Sequence, residues 1–404
     1  VALLDMTPTV ILVGVGGFGA VHLANIRRLR HVGRLTLTAL VDPVFSGETP
    51  PDAPLFPSLR TAIETVGAPS VVVAAVPIPV HASVAAETLT AGCDLLLEKP
   101  PFARMDDFEA LLELERQTGR VVQVGFQSLG SLAIDALTGA DDPYSSFGAP
   151  IAVSATGTWK RDRAYWARSP WAGRRSLDGV SVVDGVATNP FAHAIATALR
   201  LAGMQDAADV ESVELEMYRA NAIEGDDTTS LRITSRRGPS VSAALTLCAA
   251  QNSEPVVDVE YEHDRIAFRY SMDEVTIDGD TGSERHFGRI DLLENILDHR
   301  AGDAPLRVPL ASTGAFMRVV EAIRTADDPV RIEPQWIEWR GTGQEAHPVL
   351  KDVERWSGVA ARTGALFSEV GAPWAFSGRR PVGAVFEGEV DSRRRRRPGR
   401  LRGR

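Results

Sequence analysis

Cysteine is nearly absent: 404 residues hold two, Cys93 and Cys248, far apart and without metal-ligand spacing. That argues against a disulfide framework and against a cysteine-ligated metal centre, and both thiols read as small buried apolar groups in a reducing compartment. No metal is expected. A run of about 18 apolar residues is also missing, so no membrane-spanning helix is expected. The stretch Val1 to Thr9 has no basic leader and runs straight into a strand, which argues against a secretory signal and for the cytoplasm. Aromatic residues make up 6% of the chain, hydrophobic residues 44% and charged residues 24%, an ordinary soluble composition in a chain too long for one core. Acidic charge outweighs basic charge in the body. Eight of the last twelve residues, Arg393 to Arg397 with Arg400, Arg402 and Arg404, are arginine, and removing those eight charges takes the net −10 to −18. A body that acidic is a poor nucleic-acid binder, and no nucleic acid or membrane partner is expected. The tail, residues 391–404, has no apolar partner to fold with and is expected to be disordered.

What is present is a regular alternation of short apolar runs and helical stretches over the first 126 residues. Strands are expected at Thr9–Val13, Leu35–Val41, Ser70–Val76, Asp94–Leu97 and Val121–Phe126. Helices are expected at Phe18–Leu29, Ser58–Val66 with Ser58 as cap, Pro79–Ala91 and Met105–Thr118. That pattern is a doubly wound parallel sheet of the Rossmann kind. From about residue 127 to 332 the pattern changes. Runs at Val213–Arg219, Ser230–Thr234, Val241–Cys248, Val256–Tyr261 and Arg265–Tyr270 alternate with turn signals, as in a mainly antiparallel sheet. A helix over Pro190–Leu201 is laid against it, and two late helices, Asp291–His299 and Ser312–Thr325, pack back toward the first domain. Residues 333–390 form an accessory segment with one clear helix, Pro348–Arg362. An exposed face on the second sheet would favour self-association into a homo-oligomer.

Gly14-Val15-Gly16-Gly17-Phe18-Gly19 fits G-x-G-x-x-G, with a strand before it and a helix after it. The first glycine permits the tight turn, the second lets the backbone reach a pyrophosphate, and the third lets the helix pack on the strand with its N-terminus toward the negative charge. Asp42 ends the second strand where a ribose-binding acid belongs, and Pro43, Val44 and Phe45 after it supply no cation for a 2′-phosphate. NAD is therefore expected over NADP.

Further on, Val76-Pro77-Ile78-Pro79-Val80-His81, then Glu98-Lys99-Pro100 after the fourth strand, and the strand ending Gly125-Phe126-Gln127 add to this loop. With them the chain, from about Thr9 to Ile332, resembles the Gfo/Idh/MocA oxidoreductases, the family of glucose–fructose oxidoreductase and inositol dehydrogenase. The resemblance implies that Val76, Pro77, His81 and Glu98 line the cofactor. It also implies that Lys99 sits between nicotinamide and substrate, where an ammonium favours a developing alkoxide. The family's second signature is Asp or Asn, three residues, then His. One register, Asp184 to Thr188, lacks the histidine. The other, Asn189 to His193, places Asn189 as helix cap, Pro190 as first helical residue and His193 in the first turn, with ten residues of helical pattern beyond it. His193 is then the candidate base. Asn189 is expected to orient its imidazole unless Asp184 folds back to do so, and the ring is expected to titrate near the ordinary value of about 6.5 unless its site shifts it.

Trp159, Tyr165, Trp166 and Trp171 lie in one loop with Lys160, Arg161 and Arg163, and the resemblance places such a loop beside the substrate cleft. Aromatic faces with fixed polar groups suit a sugar or cyclic polyol, and Gln127 ends a strand leading into the cleft. The expected reaction is hydride transfer between nicotinamide and a secondary hydroxyl of a sugar, sugar derivative or cyclic polyol. Two other readings stay open: glycoside cleavage by transient oxidation with NAD retained, and a non-catalytic cofactor-sensing protein.

Overall fold

Apolar runs four to six residues long, too short for buried helices, become the parallel strands of the first half. A computed structural model of the chain describes residues 7–48, 50–139, 144–278, 283–375 and 382–386. In it β1 (Thr9–Val13), α1 (Gly19–His31), β2 (Thr36–Val41), β3 (Leu55–Phe56), α2 (Leu59–Val66), β4 (Val71–Ala74), α3 (His81–Thr90), β5 (Asp94–Leu97), α4 (Met105–Thr118) and β6 (Val122–Val124) succeed one another. The six strands pair in parallel in the order β3-β2-β1-β4-β5-β6. Every residue of β4 and β5 is buried, as cover on both faces demands. The chain direction through the sheet reverses between β1 and β4, so the carboxyl ends of these strands open a crevice. Local chemistry sets the helix ends: Ser58 Oγ accepts the Thr61 N–H at 3.2 Å to start α2, and Gly119 in the left-handed region stops α4.

The second half continues with α5 (Leu132–Thr138), β7 (Ala152–Thr158), α6 (Arg163–Trp166), β8 (Ser176–Leu177), β9 (Val180–Ser181) and α7 (Ala192–Leu201). Then come β10 (Val210–Arg219), β11 (Thr228–Ser235), β12 (Ser240–Thr246), β13 (Val256–Glu260), β14 (Arg265–Arg269), β15 (Glu274–Ile277) and β16 (Arg285–His286). The large sheet runs β16-β15-β14-β13-β7-β12-β11-β10-β17, where β17 is Val330–Arg331, and β20 (Val382–Val385) also pairs with β10. Its pairings are antiparallel except β7 with β12 and β10 with β17. One face carries Val153, Ala155, Val257 and Val259, all buried, beneath α7. Helices α8 (Leu292–Ala301) and α9 (Gly314–Thr325) return to the first sheet. There the buried Gln123 of β6 donates to Leu292 O and Asn295 Oδ1, and accepts the Val308 N–H at 3.0 Å. No helix among the described residues is long and apolar enough to cross a membrane.

The segment after residue 332 departs from its sequence reading. A single helix was expected over Pro348–Arg362, but His347–Leu350 is a strand, β19, paired with β18 (Ile337–Arg340), and α10 is Val353–Thr363. Leu350 donates its N–H to Cys248 O at 2.8 Å, a bond to a residue about a hundred positions earlier that local periodicity cannot register. Asp352 then takes φ +56 at the junction. α10 lies on the other face of the large sheet, over β7, β11 and β12. The strand residues beneath are small, among them Ser154, Ser242 and Ala244, and Ser242 Oγ donates to Ala361 O at 3.0 Å. Over these three strands the outer face of the large sheet thus carries the chain's own helix. The arginine tail, residues 391–404, lies outside the described residues.

Glu115, near the end of α4, accepts the Val122 N–H at 2.6 Å, yet burial pushes its carboxyl up to about 7, with Asp94 nearby adding to the effect. A carboxyl whose value rises on folding disfavours the native state once it ionises, so its penalty is absent in acid and complete above about pH 7. Glu115→Gln keeps the acceptor and removes the charge. The variant should melt higher than wild type at pH 8, with the difference vanishing toward pH 4.5; equal melting temperatures at pH 8 would show that the carboxylate is not penalised.

Candidate active site

The turn between β1 and α1 is shaped by close backbone approach. Gly14 has φ +85, and a Cβ on it would lie 2.3 Å from Ala75 O; one on Gly19 would lie 2.0 Å from Gly14 O. Gly16 faces open space and Gly17 has φ +54, so the backbone between strand and helix end is bare on the crevice side. This is a cradle a phosphate can enter, at a helix N-terminus that favours its charge. Phe18 precedes α1, half exposed, its ring edge-on to His22 at 5.4 Å. Asp42 accepts the Val15 N–H at 3.0 Å and the Val44 N–H at 3.1 Å, so one carboxylate fastens the glycine loop to the turn after β2. A carboxylate has about four acceptor positions, which leaves room for a ribose diol. The residues present fit a dinucleotide: Gly14, Gly16, Gly17 and Gly19 would hold its pyrophosphate and Asp42 its ribose.

Val76 and Pro77 follow β4 at the crevice. His81, expected to line the cofactor, is instead wholly buried. Its Nε2 lies 2.8 Å from Val76 O and its Nδ1 3.0 Å from both Pro100 O and Pro101 O, so the ring ties the Val76 turn to the loop after Lys99. Burial lowers its proton affinity, and the carbonyl oxygens around it oppose that.

Glu98 is a buried hub. It faces His22 Nε2 at 2.8 Å, accepts the Gln127 Nε2–H at 3.1 Å, and accepts the Lys99 N–H at 3.2 Å. Gln127, expected to bind a substrate hydroxyl, thus has its amide engaged by Glu98. Lys99 precedes a cis peptide bond to Pro100, and its ammonium donates to Asn189 O at 3.0 Å and Asn189 Oδ1 at 2.7 Å. Asn189 Nδ2 donates to Asp184 Oδ1 at 2.8 Å. Asp184, 1% exposed, also accepts the Gly173 N–H at 2.7 Å and pairs with Arg168 at 3.3 Å. Burial lowers the Lys99 pKa, while Glu98 and Asp184 hold it up.

This arrangement corrects the expected role of Asn189. α7 begins at Ala192 after a run of turns, with Phe191 in the cap position, so Asn189 stands before the helix and not at its cap. It makes no hydrogen bond to His193 among the described residues; its acceptors serve Lys99. Asp184 orients Asn189, and neither reaches the imidazole. His193 Nδ1 lies 3.3 Å from Ser128 Oγ, which in turn accepts from Thr197 Oγ1 at 3.0 Å. Phe126 packs edge-on to the ring at 5.7 Å and Tyr270 lies at 6.5 Å. Burial first, then the Lys99 and Arg289 charges, push His193 down to about 3, far below the expected 6.5. Its Nε2 has no hydrogen-bond partner among the described residues. Ser128 and Glu98's partner His22 carry no sequence signal of their own, since a serine after a strand and a histidine on a helix are common.

The aromatic loop is ordered by cations. Trp159 packs on Phe191 at 4.3 Å, donates Nε1–H to Ser253 O at 3.0 Å, and has the Arg161 guanidinium over its ring at 4.6 Å. Arg168 lies over Tyr165 at 3.9 Å and Trp171 at 4.8 Å, and Tyr165 meets Trp166 edge-on at 4.9 Å. Burial and the Asp184 charge raise the Tyr165 hydroxyl above its ordinary value. Because Arg168 also pairs with Asp184, this loop is tied to the Lys99 site through that carboxylate.

Asp42→Ala removes the ribose acceptor and frees the Val15 N–H that positions the glycine loop. Hydrogen bonds to a charged group contribute about 1.5–3 kcal/mol, so NAD affinity should fall roughly ten- to a hundredfold. Equilibrium titration of NAD checks this, and an unchanged Kd would remove Asp42 from the ribose site.

Comparisons with known proteins agree with this geometry. No curated protein matches the chain in sequence. Among solved structures, the WlbA dehydrogenase from Bordetella pertussis, in complex with NADH and UDP-GlcNAcA, is similar with TM-score 0.65 and 21% identity over 79% of this chain and 95% of that one. UDP-N-acetylglucosamine 3-dehydrogenase GnnA from Acidithiobacillus ferrooxidans gives 0.61 and 18% over 80% and 98%. An oxidoreductase from Thermotoga maritima gives 0.64 and 14% over 79% and 96%. At these identities the likeness is one of fold. Residues 9–126 match the model of the Gfo/Idh/MocA oxidoreductase family, described as an NAD-binding Rossmann fold. The first domain is thus an NAD-binding Rossmann domain of the Gfo/Idh/MocA type.

Proposed function

We propose that the protein is an NAD-dependent dehydrogenase that oxidises a secondary hydroxyl of a sugar or sugar derivative, reversibly, with Lys99 and His193 acting on one oxygen. What carries this reading is the meeting in one cleft of an ammonium with a donor to spare and an uncharged imidazole with a free nitrogen. Lys99 uses two of its three N–H donors on Asn189, and the third can hold the reacting oxygen. His193, neutral down to about pH 3, is able to accept the hydroxyl proton at any physiological pH. Bound NAD supplies the hydride acceptor, and the protein contributes geometry and charge. With NAD bound, a proton taken up by His193 would leave the net charge of the pocket unchanged. Asn189 positions Lys99, Asp184 positions Asn189, and Ser128 fixes the imidazole ring.

The aromatic loop supports the substrate class. Trp159, Tyr165 and Trp171 carry guanidinium groups stacked over their rings beside Trp166, a cationic and aromatic surface that suits a nucleotide-linked sugar. The structural neighbours crystallised with UDP-GlcNAcA, or named for UDP-N-acetylglucosamine, make nucleotide-linked sugars the first members of a substrate panel. In that panel, with NAD, NADH formation at its absorbance band is the expected signal. Cleavage of a glycoside with no net NADH would overturn the dehydrogenase reading in favour of transient oxidation.

On the substrate so found, His193→Ala should lower kcat roughly 10²–10⁴-fold, the usual worth of a positioned acid or base, with NAD affinity nearly intact. Lys99→Ala should also lower kcat, and the double variant should lose less than the product, because both groups serve one transition state. A lowered imidazole pKa means the base form persists into acid, so kcat/KM for oxidation should show no histidine limb between pH 5 and 7. A limb centred near 6.5 in wild type, absent in His193→Ala, would show that the ring is not desolvated during catalysis.

A further inference from the structure

Beside the aromatic loop lies a groove of about 590 Å³ between residues 166–174, the end of β10 with the turn after it, and β17. Its polar equipment is one-sided. Arg219 and Arg331 are register partners on the parallel strands β10 and β17, so two guanidinium groups stand side by side on one sheet face. Arg174 adds a third. The acid among the lining residues, Glu224, is already paired with Arg174 at 2.6 Å. Arg219 donates to Ile223 O, while the exposed Arg331 side chain has no hydrogen-bond or ion-pair partner among the described residues. Two buried polar atoms in the same wall, Trp166 Nε1 and Ser169 Oγ, also lack a partner. An indole N–H can only donate, and a buried donor left unpaired costs roughly 1–3 kcal/mol. The unpaired groups among the described lining residues are thus an indole donor, a hydroxyl that can donate, and an exposed guanidinium.

We propose that this groove binds a phosphoryl oxyanion, with Arg331 and Arg219 neutralising its charge and Trp166 Nε1 and Ser169 Oγ donating to its oxygens. Several fixed donors around one tetrahedral acceptor is the arrangement phosphate requires. The groove also communicates with the Lys99 site through a short path. Gly173, in the groove wall, donates its N–H to Asp184, whose other oxygen holds Asn189, whose oxygens hold Lys99. A ligand that draws in residues 166–174 therefore shifts the carboxylate that positions the ammonium.

Two sources of the anion share this chemistry: free phosphate, or the phosphoryl group of a substrate whose sugar reaches the cleft. Calorimetric titration of the full chain with inorganic phosphate at low ionic strength tests the site without reference to turnover. Saturable one-site binding is expected, weakened about tenfold or more in Arg331→Gln and measurably in Ser169→Ala, with melting temperatures unchanged in both. Phosphate that competes with substrate in steady-state kinetics marks the groove as the substrate's phosphoryl subsite. Phosphate that alters kcat without competing marks it as an effector site, and either pattern supports the assignment. Absence of saturable binding, or equal affinity in wild type and both variants, overturns it.

Discussion

An ammonium ion in a half-buried cleft keeps its charge only where neighbouring groups favour it, and the arrangement around Lys99 answers that constraint. Two carboxylates stand near it, and neither forms a direct ion pair with it. Glu98 is engaged by His22, Gln127 and the Lys99 backbone, and Asp184 acts through the amide of Asn189. A direct carboxylate partner would hold the ammonium more tightly but would neutralise it and occupy its donors. An amide between them gives Lys99 two neutral oxygens and lets the charge of Asp184 act from one residue further away. The same contacts join α1, the ends of β5 and β6, and the turn before α7, so the charge requirement of one side chain fixes the relative position of four elements.

Much of this was legible in the sequence because it rests on local rules. The strands β1, β4 and β5 are runs of residues apolar on both faces, and the glycine loop has a strand and a helix in the required places. Asp94–Leu97 and Met105–Thr118 agree with the sequence reading to the residue, because a turn signal or a left-handed glycine bounds them. What the sequence could not show were partners set by long-range packing. Asn189 looked like a helix cap, since asparagine before proline usually is one. Its acceptor is instead claimed by a lysine 90 residues earlier. The downward shift of the imidazole was out of reach for a similar reason, because burial and the charges of Lys99 and Arg289 are properties of the fold. The strand β19 was read as helix because its pairing partner and the Leu350 to Cys248 bond lie outside any local window.

The accessory segment has a place in the architecture that composition alone did not suggest. Its helix covers the outer face of the large sheet, and its hairpin reaches the aromatic loop. Arg163 donates its backbone N–H to Ala346 O at 3.0 Å, and its guanidinium lies over Trp339 at 5.1 Å. The loop that frames the cleft is therefore held from two sides, by Asp184 through Arg168 within the cleft and by the hairpin outside it. Small residues on the outward positions of β7 and β12 make the close approach of α10 possible, which explains why those strands show serine and alanine where a solvent-facing sheet would carry longer polar side chains.

The bond between β6 and Val308 has a consequence for the order in which the molecule is assembled. β6 is the last strand of the parallel sheet, and its open edge is closed by Val308, whose backbone oxygen accepts the Val124 N–H at 2.9 Å while its N–H bonds to Gln123, 185 residues earlier in the chain. A nascent chain that has completed all six strands still presents an unpaired strand edge until the ribosome has delivered the residue that covers it. Parallel sheets already form slowly, and exposed edges recruit other strands. The interval between making residue 124 and making residue 308 is thus when this polypeptide is most exposed to misassociation, and when a holding chaperone has most to protect.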